Sequence, residues 1–313
     1  MKRFLLVLAC IGFGLLVIWG SLFLYFVFLP LGPIFAIGSI LAVFRYKRPS
    51  WFIAAFVLVA LAYAFYPARA DRDWRVDQAV TAESTIEGDT LRIKNIRNFR
   101  YRTVDNSTPA YYDAEFDLRE LESLWYIVEP FSTWQGAAHT FVTFGFKGDR
   151  YFGVSIELRK EKGEDFSAIR GAFKQYELVY IVGDERDLIG LRLNARKHDV
   201  YLYPIRATAD ERRKLLVDML NRSNALAKEP EYYHTLASSC TTNIVGHINR
   251  IWPGRVPFSF KTLFPGYADE LAYELGLIDT ALPFEEARGR HRIAAEKVAE
   301  SADFSSRIRS INK

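Results

Sequence analysis

"HTFVTFGFKGDRYFGVSIELR", residues 139–159, predicts a β-hairpin. Its two halves, 139–146 and 150–159, are rich in the aromatic and β-branched residues that strands favour. Between them lies a short Gly-Asp segment, which is typical of a tight turn. This hairpin is therefore the part of the predicted sheet from which the facing of its side chains is derived.

The length of the hairpin loop decides which side chains share a face. A two-residue Gly-Asp loop pairs His139 with Leu158 and sends Glu157 to the opposite face. A three-residue loop that includes Lys147, with a bulge, places Glu157 directly opposite His139 on the same face. Both registers are open from the sequence.

Other segments complete an α+β domain. Further strands are predicted at 89–103, 124–131, 176–183 and 199–205. Helices are predicted at 209–228, behind a capping box of Thr208 and Glu211, near Cys240, at 267–277 and at 283–300. Strands followed by helices indicate the α+β class.

The first 66 residues predict three transmembrane helices. No charged residue occurs between Phe4 and Phe44, and "LPLGP" at 29–33 divides that run. We expect helices at about 4–28, 33–44 and 51–66. A cleavable signal peptide is the alternative, but its apolar region would be about 7–15 residues long, far shorter than this one.

Basic residues predict the orientation of these helices. Lys2 and Arg3 precede the first helix, and "RYKRPS" at 45–50 lies between the second and third. Because cytoplasmic loops carry the excess of Lys and Arg, the N-terminus and the 45–50 loop should be cytoplasmic. Three crossings then place everything after about Pro67 in the periplasm, so the protein is expected to be a multi-pass protein of the bacterial inner membrane.

Charge also excludes one class of partner. The chain has 41 Lys and Arg against 37 Asp and Glu, but residues 1–70 contain basic residues and no acidic ones. The exported part is close to neutral, so the basic surplus reflects membrane topology, and no nucleic-acid partner is expected. We expect a membrane region at 1–66, a periplasmic domain at 67–280 and a charged C-terminal helix and tail at 281–313.

Cys240 is the one cysteine outside the apolar N-terminal region, where Cys10 lies. An intramolecular disulfide within the exported domain is therefore impossible. The chain lacks CxxC and HExxH spacings, and no metal or cofactor is predicted. An unpaired cysteine in an oxidising compartment is expected to be either buried or used in chemistry.

The residues before Cys240 favour a reactive thiol. Ser238 or Ser239 can cap a helix and place Cys240 in its first turn, where free N–H groups and the helix dipole stabilise a thiolate. On spacing alone, a nucleophile and an inert core thiol remain equally open. Asn243, one turn later, could donate to an oxyanion with the Cys240 N–H, or could cap a neighbouring loop.

A nucleophilic thiol needs a base, and His139 is the preferred candidate. His234, in the loop before the Cys240 helix, is the alternative. His247 is two turns away, about 10 Å along a helix axis, and is expected to pack or cap. His198 and His291 are expected at the surface.

Acidic residues receive two interpretations. Glu157 could fix the orientation of the His139 ring, or pair with Arg159 or Lys160 at the surface. The clusters at 161–166 and 183–187 are expected to be solvated turns. Arg186 and Arg192 are expected to pair with Glu185 or Asp187.

The stretches "AHTFVTFGF", "GDERDLIG" and "SSCTTN" carry a resemblance to a known family. Over about residues 85–280 the chain resembles the Lnb N-terminal periplasmic domain family, a bacterial lipoprotein N-acyltransferase-like group. The resemblance implies a Cys–His thiol enzyme, in which Cys240 and His139 match the family's cysteine and histidine and Glu157 its acidic position. The order of histidine before cysteine is similar to permuted papain-like enzymes, so a papain-like domain is implied.

Three functions are compatible with these features. The first is a thiol acyltransferase that moves an acyl chain from an inner-membrane phospholipid to an amine such as a lipoprotein N-terminus. The second is a cysteine amidase or peptidase, a hydrolase of cell-envelope peptides. The third is a non-catalytic envelope-binding module. The resemblance and the membrane anchoring favour the first.

Overall fold

The computed structural model describes residues 1–293, 301 and 303–310. Within these residues the chain forms two compact units. One comprises Met1–Arg69 and Ser167–Gln175, and the other comprises Ala70–Phe166 and Tyr176–Lys313. A segment from the middle of the sequence therefore belongs to the N-terminal unit.

Helices and strands alternate in a mixed arrangement along the chain. The helices are α1 (Lys2–Val27), α2 (Leu31–Ile40), α3 (Pro49–Phe65), α4 (Val76–Ala79), α5 (Ala168–Ala172), α6 (Glu185–Gly190), α7 (Ala209–Lys228), α8 (Cys240–Ile251), α9 (Phe260–Leu263), α10 (Ala268–Glu274), α11 (Phe284–Arg290) and α12 (Phe304–Ser310). The strands are β1 (Glu83–Glu87), β2 (Thr90–Arg97), β3 (Arg100–Tyr101), β4 (Ser107–Thr108), β5 (Tyr111–Asp117), β6 (Leu121–Pro130), β7 (Ala138–Phe146), β8 (Arg150–Arg159), β9 (Glu177–Asp184), β10 (Val200–Pro204) and β11 (Arg292–Ile293).

The N-terminal unit contains the apolar helices. Its first helix has an apolar stretch of 25 residues, Arg3–Val27, which is long enough to cross a membrane. The other two apolar segments, Leu31–Arg45 and Pro49–Phe65, also form helices but are shorter than 18 residues. Three helices therefore form close to the predicted positions, and one of them meets the length of a membrane span.

Aromatic side chains hold this unit together. Phe23 and Phe35 are buried between the helices. Phe173, which follows α5, joins the same cluster, with its ring centroid 5.9 Å from that of Phe26. Lys174 donates a hydrogen bond of 2.6 Å to the Tyr63 carbonyl oxygen, so the connection between β8 and β9 is part of the apolar unit.

A nine-stranded mixed sheet forms the second unit. The strand order is β1-β2-β9-β8-β7-β6-β10-β11, and β5 pairs with β2 outside this path. Only β2 and β9 pair in parallel, through Arg97 and Gly183; the other neighbours within the described residues are antiparallel. The predicted α+β class is confirmed at this level, since helices pack on a mixed, largely antiparallel sheet.

Both faces of the sheet are covered by helices. On one face, α7 and α8 bury Met219 and Ile244 against strand residues that include Phe144. On the other, α6 and α12 bury Leu188 and Phe304 against residues that include Phe141. Burial of each such side chain contributes about 1.5–3 kcal/mol. Because side chains alternate between the two faces of a strand, Phe141 and Phe144 of β7 pack against helices on opposite sides of the sheet.

Several predicted elements are found and one differs. The helix at 209–228 and its Thr208–Glu211 capping box are confirmed. The helix predicted at 283–300 ends at Arg290, because Arg292–Ile293 pairs with β10 as a strand. Residues 294–300 lie outside the described residues. The strand β11 and the helix α12 belong to the same unit as the sheet.

Candidate active site

The β7–β8 hairpin has the three-residue register. Phe146 pairs with Arg150, so the loop consists of Lys147, Gly148 and Asp149. Gly148 and Asp149 both have positive φ, 79° and 56°, which this tight connection requires. The last paired positions are Phe141 and Ser155, and two residues further His139 and Glu157 come opposite each other on the same face.

A capping box starts helix α8 at the cysteine. Ser239 is the N-cap: its hydroxyl accepts from the Thr242 N–H, and its own N–H donates to the Thr242 hydroxyl at 2.7 Å. Cys240 is consequently the first residue of the helix, where backbone N–H groups have no partner within the helix. The N-terminal dipole at this position favours a negatively charged sulfur.

His139 and Thr140 lower the pKa of the Cys240 thiol. Burial, which leaves 6% of Cys240 exposed, raises this pKa, but a side-chain hydrogen bond and Coulomb attraction from His139 outweigh it. The backbone N–H and the hydroxyl of Thr140 also stabilise the thiolate, and the pKa falls to about 7. Thr140 was not predicted; its proximity follows from its hydroxyl contact of 2.9 Å with Thr241 of α8.

The His139 ring is held by groups on strand β8. Its Nε2 lies 2.8 Å from the Ser155 hydroxyl and 3.8 Å from Oε1 of Glu157. Its ring stacks on Phe141, with centroids 5.8 Å apart. The structure thus brings His139, Glu157 and Cys240 together and adds Ser155 between the histidine and the carboxylate.

Glu157 is an ionised carboxylate within a polar cluster. Burial raises its pKa, but Coulomb interactions with His139, Arg192 and Arg97 hold the pKa well below its usual range. Arg192 Nη2 lies 3.3 Å from Oε1, and Gln78 Nε2 donates to Oε2 at 3.3 Å. The alternative partner Arg159 donates instead to the backbone carbonyls of Gln78 and Ala79.

A second carboxylate next to the site, Glu129, is fully buried. Arg192 Nε is 2.7 Å from its Oε2, and Arg196 and His198 contact its Oε1 at 3.2 and 2.9 Å. Burial raises the pKa of Glu129, but these charges and the His198 hydrogen bond lower it to about 2. Arg192 therefore joins two carboxylates, and His198, whose side chain is 30% exposed, contacts one of them.

The acidic cluster at 183–187 is not a solvated turn. Glu185 and Asp187 are fully buried. Asp187 accepts two hydrogen bonds of 2.8 Å from Arg97, and Glu185 pairs with Arg309. The prediction of solvated turns was wrong because Arg97 and Arg309, which pair with these buried carboxylates, are distant from them in sequence. Arg186 pairs with Asp184, and Arg192 pairs with Glu129 and Glu157 and not with the predicted partners Glu185 or Asp187.

The other candidate histidines have different roles. His234 Nδ1 accepts from the N–H groups of Leu236 and Ala237, and burial lowers its pKa. His247 lies between Asp218, 2.6 Å from Nδ1, and Tyr180, whose hydroxyl is 2.7 Å from Nε2. His247 packs in the core on α8, as expected.

Asn243 supports the loop before the cysteine. Its Nδ2 donates to the Ser238 hydroxyl at 3.1 Å and to the Ser239 carbonyl at 2.8 Å. This is the loop-capping alternative. Donation to an oxyanion would require at least one of these hydrogen bonds to be exchanged.

An apolar cavity of about 110 Å³ runs beside α8. Its lining includes Tyr126, Thr241, Ile244, Ile248 and Leu271. It reaches the residue after Cys240, but the thiol does not line it. In the described part of the chain, no group of three His, Cys, Asp or Glu side chains is placed to hold a metal ion.

This arrangement can perform nucleophilic chemistry. A thiol of lowered pKa contacts an imidazole, and an ionised carboxylate lies behind that imidazole, which are the elements of thiol catalysis. The family model of the Lnb N-terminal periplasmic domain matches residues 107–266, about half of the chain, and this range contains all of these groups. Neither the curated proteins nor the solved structures provide a match.

Proposed function

Because this chain belongs to the Lnb N-terminal periplasmic domain family, we propose that it is a periplasmic thiol acyltransferase anchored in the bacterial inner membrane. The family and the N-terminal apolar helix indicate a membrane-anchored protein of the cell envelope. The donor in this proposal is a phospholipid, and the acceptor is an amine such as a lipoprotein N-terminus. The observation that carries the proposal is the placement of Cys240 at the first position of α8 beside His139 of β7, whose interaction with the sulfur lowers the pKa of the thiol.

The first half of the reaction forms a thioester. His139 takes the proton of the Cys240 thiol, and the thiolate attacks the carbonyl carbon of a phospholipid acyl ester. The ester C–O bond then breaks, and the lysophospholipid leaves as an alcohol that takes the proton from His139. The Cys240 N–H, free at the first turn of α8, and Asn243 after exchange of a hydrogen bond would stabilise the oxyanion.

The second half transfers the acyl chain. The acceptor amine attacks the thioester carbonyl, the C–S bond breaks, and the amine nitrogen gives its proton to His139, which restores the thiol. Glu157, with its low pKa, stays anionic throughout and stabilises the imidazolium that forms in each half.

The order of elements supports a permuted papain-like arrangement within this proposal. The nucleophile begins a helix, α8, that packs against the antiparallel strand β7, which carries the base. The histidine strand precedes the cysteine helix in the chain, whereas papain-like enzymes with the ordinary connection have the cysteine first.

In this proposal the sheet domain lies on the periplasmic side whether the chain crosses the membrane once or three times. With three crossings, Arg45, Lys47 and Arg48 are cytoplasmic, as the positive-inside rule favours. The second and third apolar helices would be about 22 and 26 Å long, somewhat less than the ~30 Å hydrocarbon core. One crossing and three crossings both place the sheet domain on the periplasmic side.

The test is direct acyl capture by the full chain in the Cys10→Ser background, which leaves Cys240 as the single thiol. The protein is incubated with vesicles of phosphatidylethanolamine and phosphatidylglycerol and its intact mass is measured. We expect the mass to increase by one acyl group that hydroxylamine removes, and Cys240→Ser to abolish the increase.

Other outcomes identify the alternatives. Cleavage of an envelope peptide without lipid, combined with no acyl adduct, would support an amidase or peptidase. Vesicle binding that is equal in Cys240→Ser, combined with no adduct and no cleavage, would support a non-catalytic binding module.

A further inference from the structure

Ser155 connects the proposed base, His139, to the partly buried carboxylate of Glu157. Its hydroxyl lies 2.8 Å from His139 Nε2 and donates to Glu157 Oε1 at 2.9 Å. The direct distance from Nε2 to Oε1 is longer, 3.8 Å. The hydroxyl therefore occupies the shortest polar path between the imidazole and the carboxylate.

The direction of the hydrogen bonds in this path is determined by chemistry. An ionised carboxylate can only accept, so the single hydroxyl hydrogen of Ser155 must point to Glu157. The Ser155 oxygen then offers only lone pairs to His139. Nε2 must consequently carry a hydrogen and donate it, which leaves Nδ1 of the neutral ring as the acceptor.

We infer that Ser155 is a positioning residue that fixes the His139 tautomer, with Nε2 protonated and Nδ1 free to accept the Cys240 proton. The inference rests on the proposed function, in which His139 is the base. When the thiol proton moves to Nδ1, the Nε2–H stays bonded to Ser155. The anionic Glu157 stabilises the resulting imidazolium through that hydroxyl.

The surroundings of Ser155 support a fixed geometry. Ser155 is fully buried, and its backbone pairs with Phe141, on which the His139 ring stacks. Glu157 is also held by Gln78, which donates to Oε2, and by Arg192, which donates to Oε1. Because neighbouring groups already hold both His139 and Glu157, little conformational entropy is lost when Ser155 orients the His139 ring.

The first test observes the tautomer itself. Nitrogen-15 NMR of histidine-labelled full chain in detergent, in the Cys10→Ser background, reports which ring nitrogen of neutral His139 carries hydrogen. His139→Gln identifies the signal. We expect hydrogen on Nε2, and hydrogen on Nδ1 would overturn the inference without any change at Ser155.

The second test measures thiol reactivity, which needs no acyl donor. The pH dependence of iodoacetamide alkylation of Cys240 is compared for Ser155→Ala and Ser155→Thr. Loss of the hydroxyl should lower the alkylation rate at pH 7 by about tenfold, in the range for lost outer-shell partners, whereas threonine should restore most of the rate.

The matched control is Thr143→Val. Thr143 is a fully buried hydroxyl residue of β7, four positions from His139 on the same face. Its removal should leave the alkylation profile unchanged. An unchanged profile in Ser155→Ala would contradict the relay, as would an equal loss in Thr143→Val.

The two proposals fail in different ways. If the relay is correct but the acyltransferase proposal is wrong, the tautomer and the alkylation profile behave as described while no acyl adduct forms on vesicles. If acyl capture occurs but Ser155→Ala keeps both the tautomer and the profile, the relay alone is wrong.

Discussion

Arg192 and Glu129 form a buried ion pair beneath the candidate active site, with Nε and Oε2 2.7 Å apart and side chains 1% and 0% exposed. The same guanidinium lies 3.3 Å from Glu157 and stacks on Phe141 at 4.5 Å. Phe141 and Glu157 both contact His139, so the Arg192–Glu129 pair holds in place two of the residues that surround this histidine.

Replacing Arg192 with methionine should be strongly destabilising. The buried Glu129 and the partly buried Glu157 would lose their shared cation, and removing one partner of a buried pair costs about 3–5 kcal/mol. The measurement is chemical denaturation of the full chain in detergent. Arg206→Met is the control, because its pair with Asp279 is exposed on both sides and should contribute less than about 1 kcal/mol. Equal effects would show that Arg192 does not hold this cluster.

The Cys240 thiol should titrate near neutrality. Its pKa of about 7 means that alkylation in the Cys10→Ser background should be half-maximal near pH 7, slowing as the pH falls and the thiolate is protonated. His139→Gln should move the midpoint toward the ordinary value of about 8.5. His291→Gln, which removes a ring packed near Tyr203, should leave it in place. A midpoint that does not respond to His139→Gln would argue against the contact.

The helix cap should affect both stability and the thiol. Ser239→Ala removes the side-chain acceptor at the start of α8 and should cost about 1 kcal/mol of unfolding free energy. It should also raise the midpoint of Cys240 alkylation, because the first turn becomes less well ordered. Thr208→Ala breaks the equivalent capping box of α7 and should cost a similar free energy. If Thr208→Ala shifts the thiol midpoint equally, the effect is general loss of stability.

Two glycines should respond in opposite directions to alanine. Gly246 lies inside α8, and a Cβ there meets nothing within 4 Å, so Gly246→Ala should stabilise the protein by about 0.5–1 kcal/mol. Gly148 has φ of +79° in the hairpin loop, so Gly148→Ala should destabilise it by about 1–2 kcal/mol. Thermal unfolding of both variants checks the pair, and stabilisation by Gly148→Ala would contradict the loop geometry.

Reporter fusions decide the number of crossings. A periplasm-active reporter fused after Tyr66 should be active for either one or three spans. A cytoplasm-active reporter at Lys47 should be active only with three spans, since a single crossing by α1 leaves Lys47 outside. An inactive exported reporter after Tyr66 would place the sheet domain in the cytoplasm and contradict the periplasmic location.

Local interactions made several elements predictable. The bounds of α7 follow from a capping box that spans only four residues, Thr208 to Glu211, and from apolar residues at helical spacing. The position of Cys240 at the start of α8 follows from the serine beside it. The strands of the hairpin follow from their composition. All of these depend on neighbours along the chain, so no tertiary contact was needed to infer them.

The register of the β7–β8 hairpin was only partly predictable from the sequence. The sequence allowed two loop lengths, and each put Glu157 on a different face. Local turn preferences alone did not choose between them, because Gly-Asp suits a two-residue loop as well. In the register that the structure adopts, Phe152 and Val154 of β8 share a core with Phe144, and a slip of one residue would move them to the opposite face.

The tertiary structure alone decided which polar groups surround the thiol. Ser155, Thr140 and Glu129 carry no motif, and they reach the site only because β6, β7 and β8 pair side by side. Asp187 is buried because Arg97, 90 residues earlier, forms a bidentate pair with it. A charged side chain is expected in water until a partner removes the cost of burial, and a partner that is distant in sequence can be identified only from the fold.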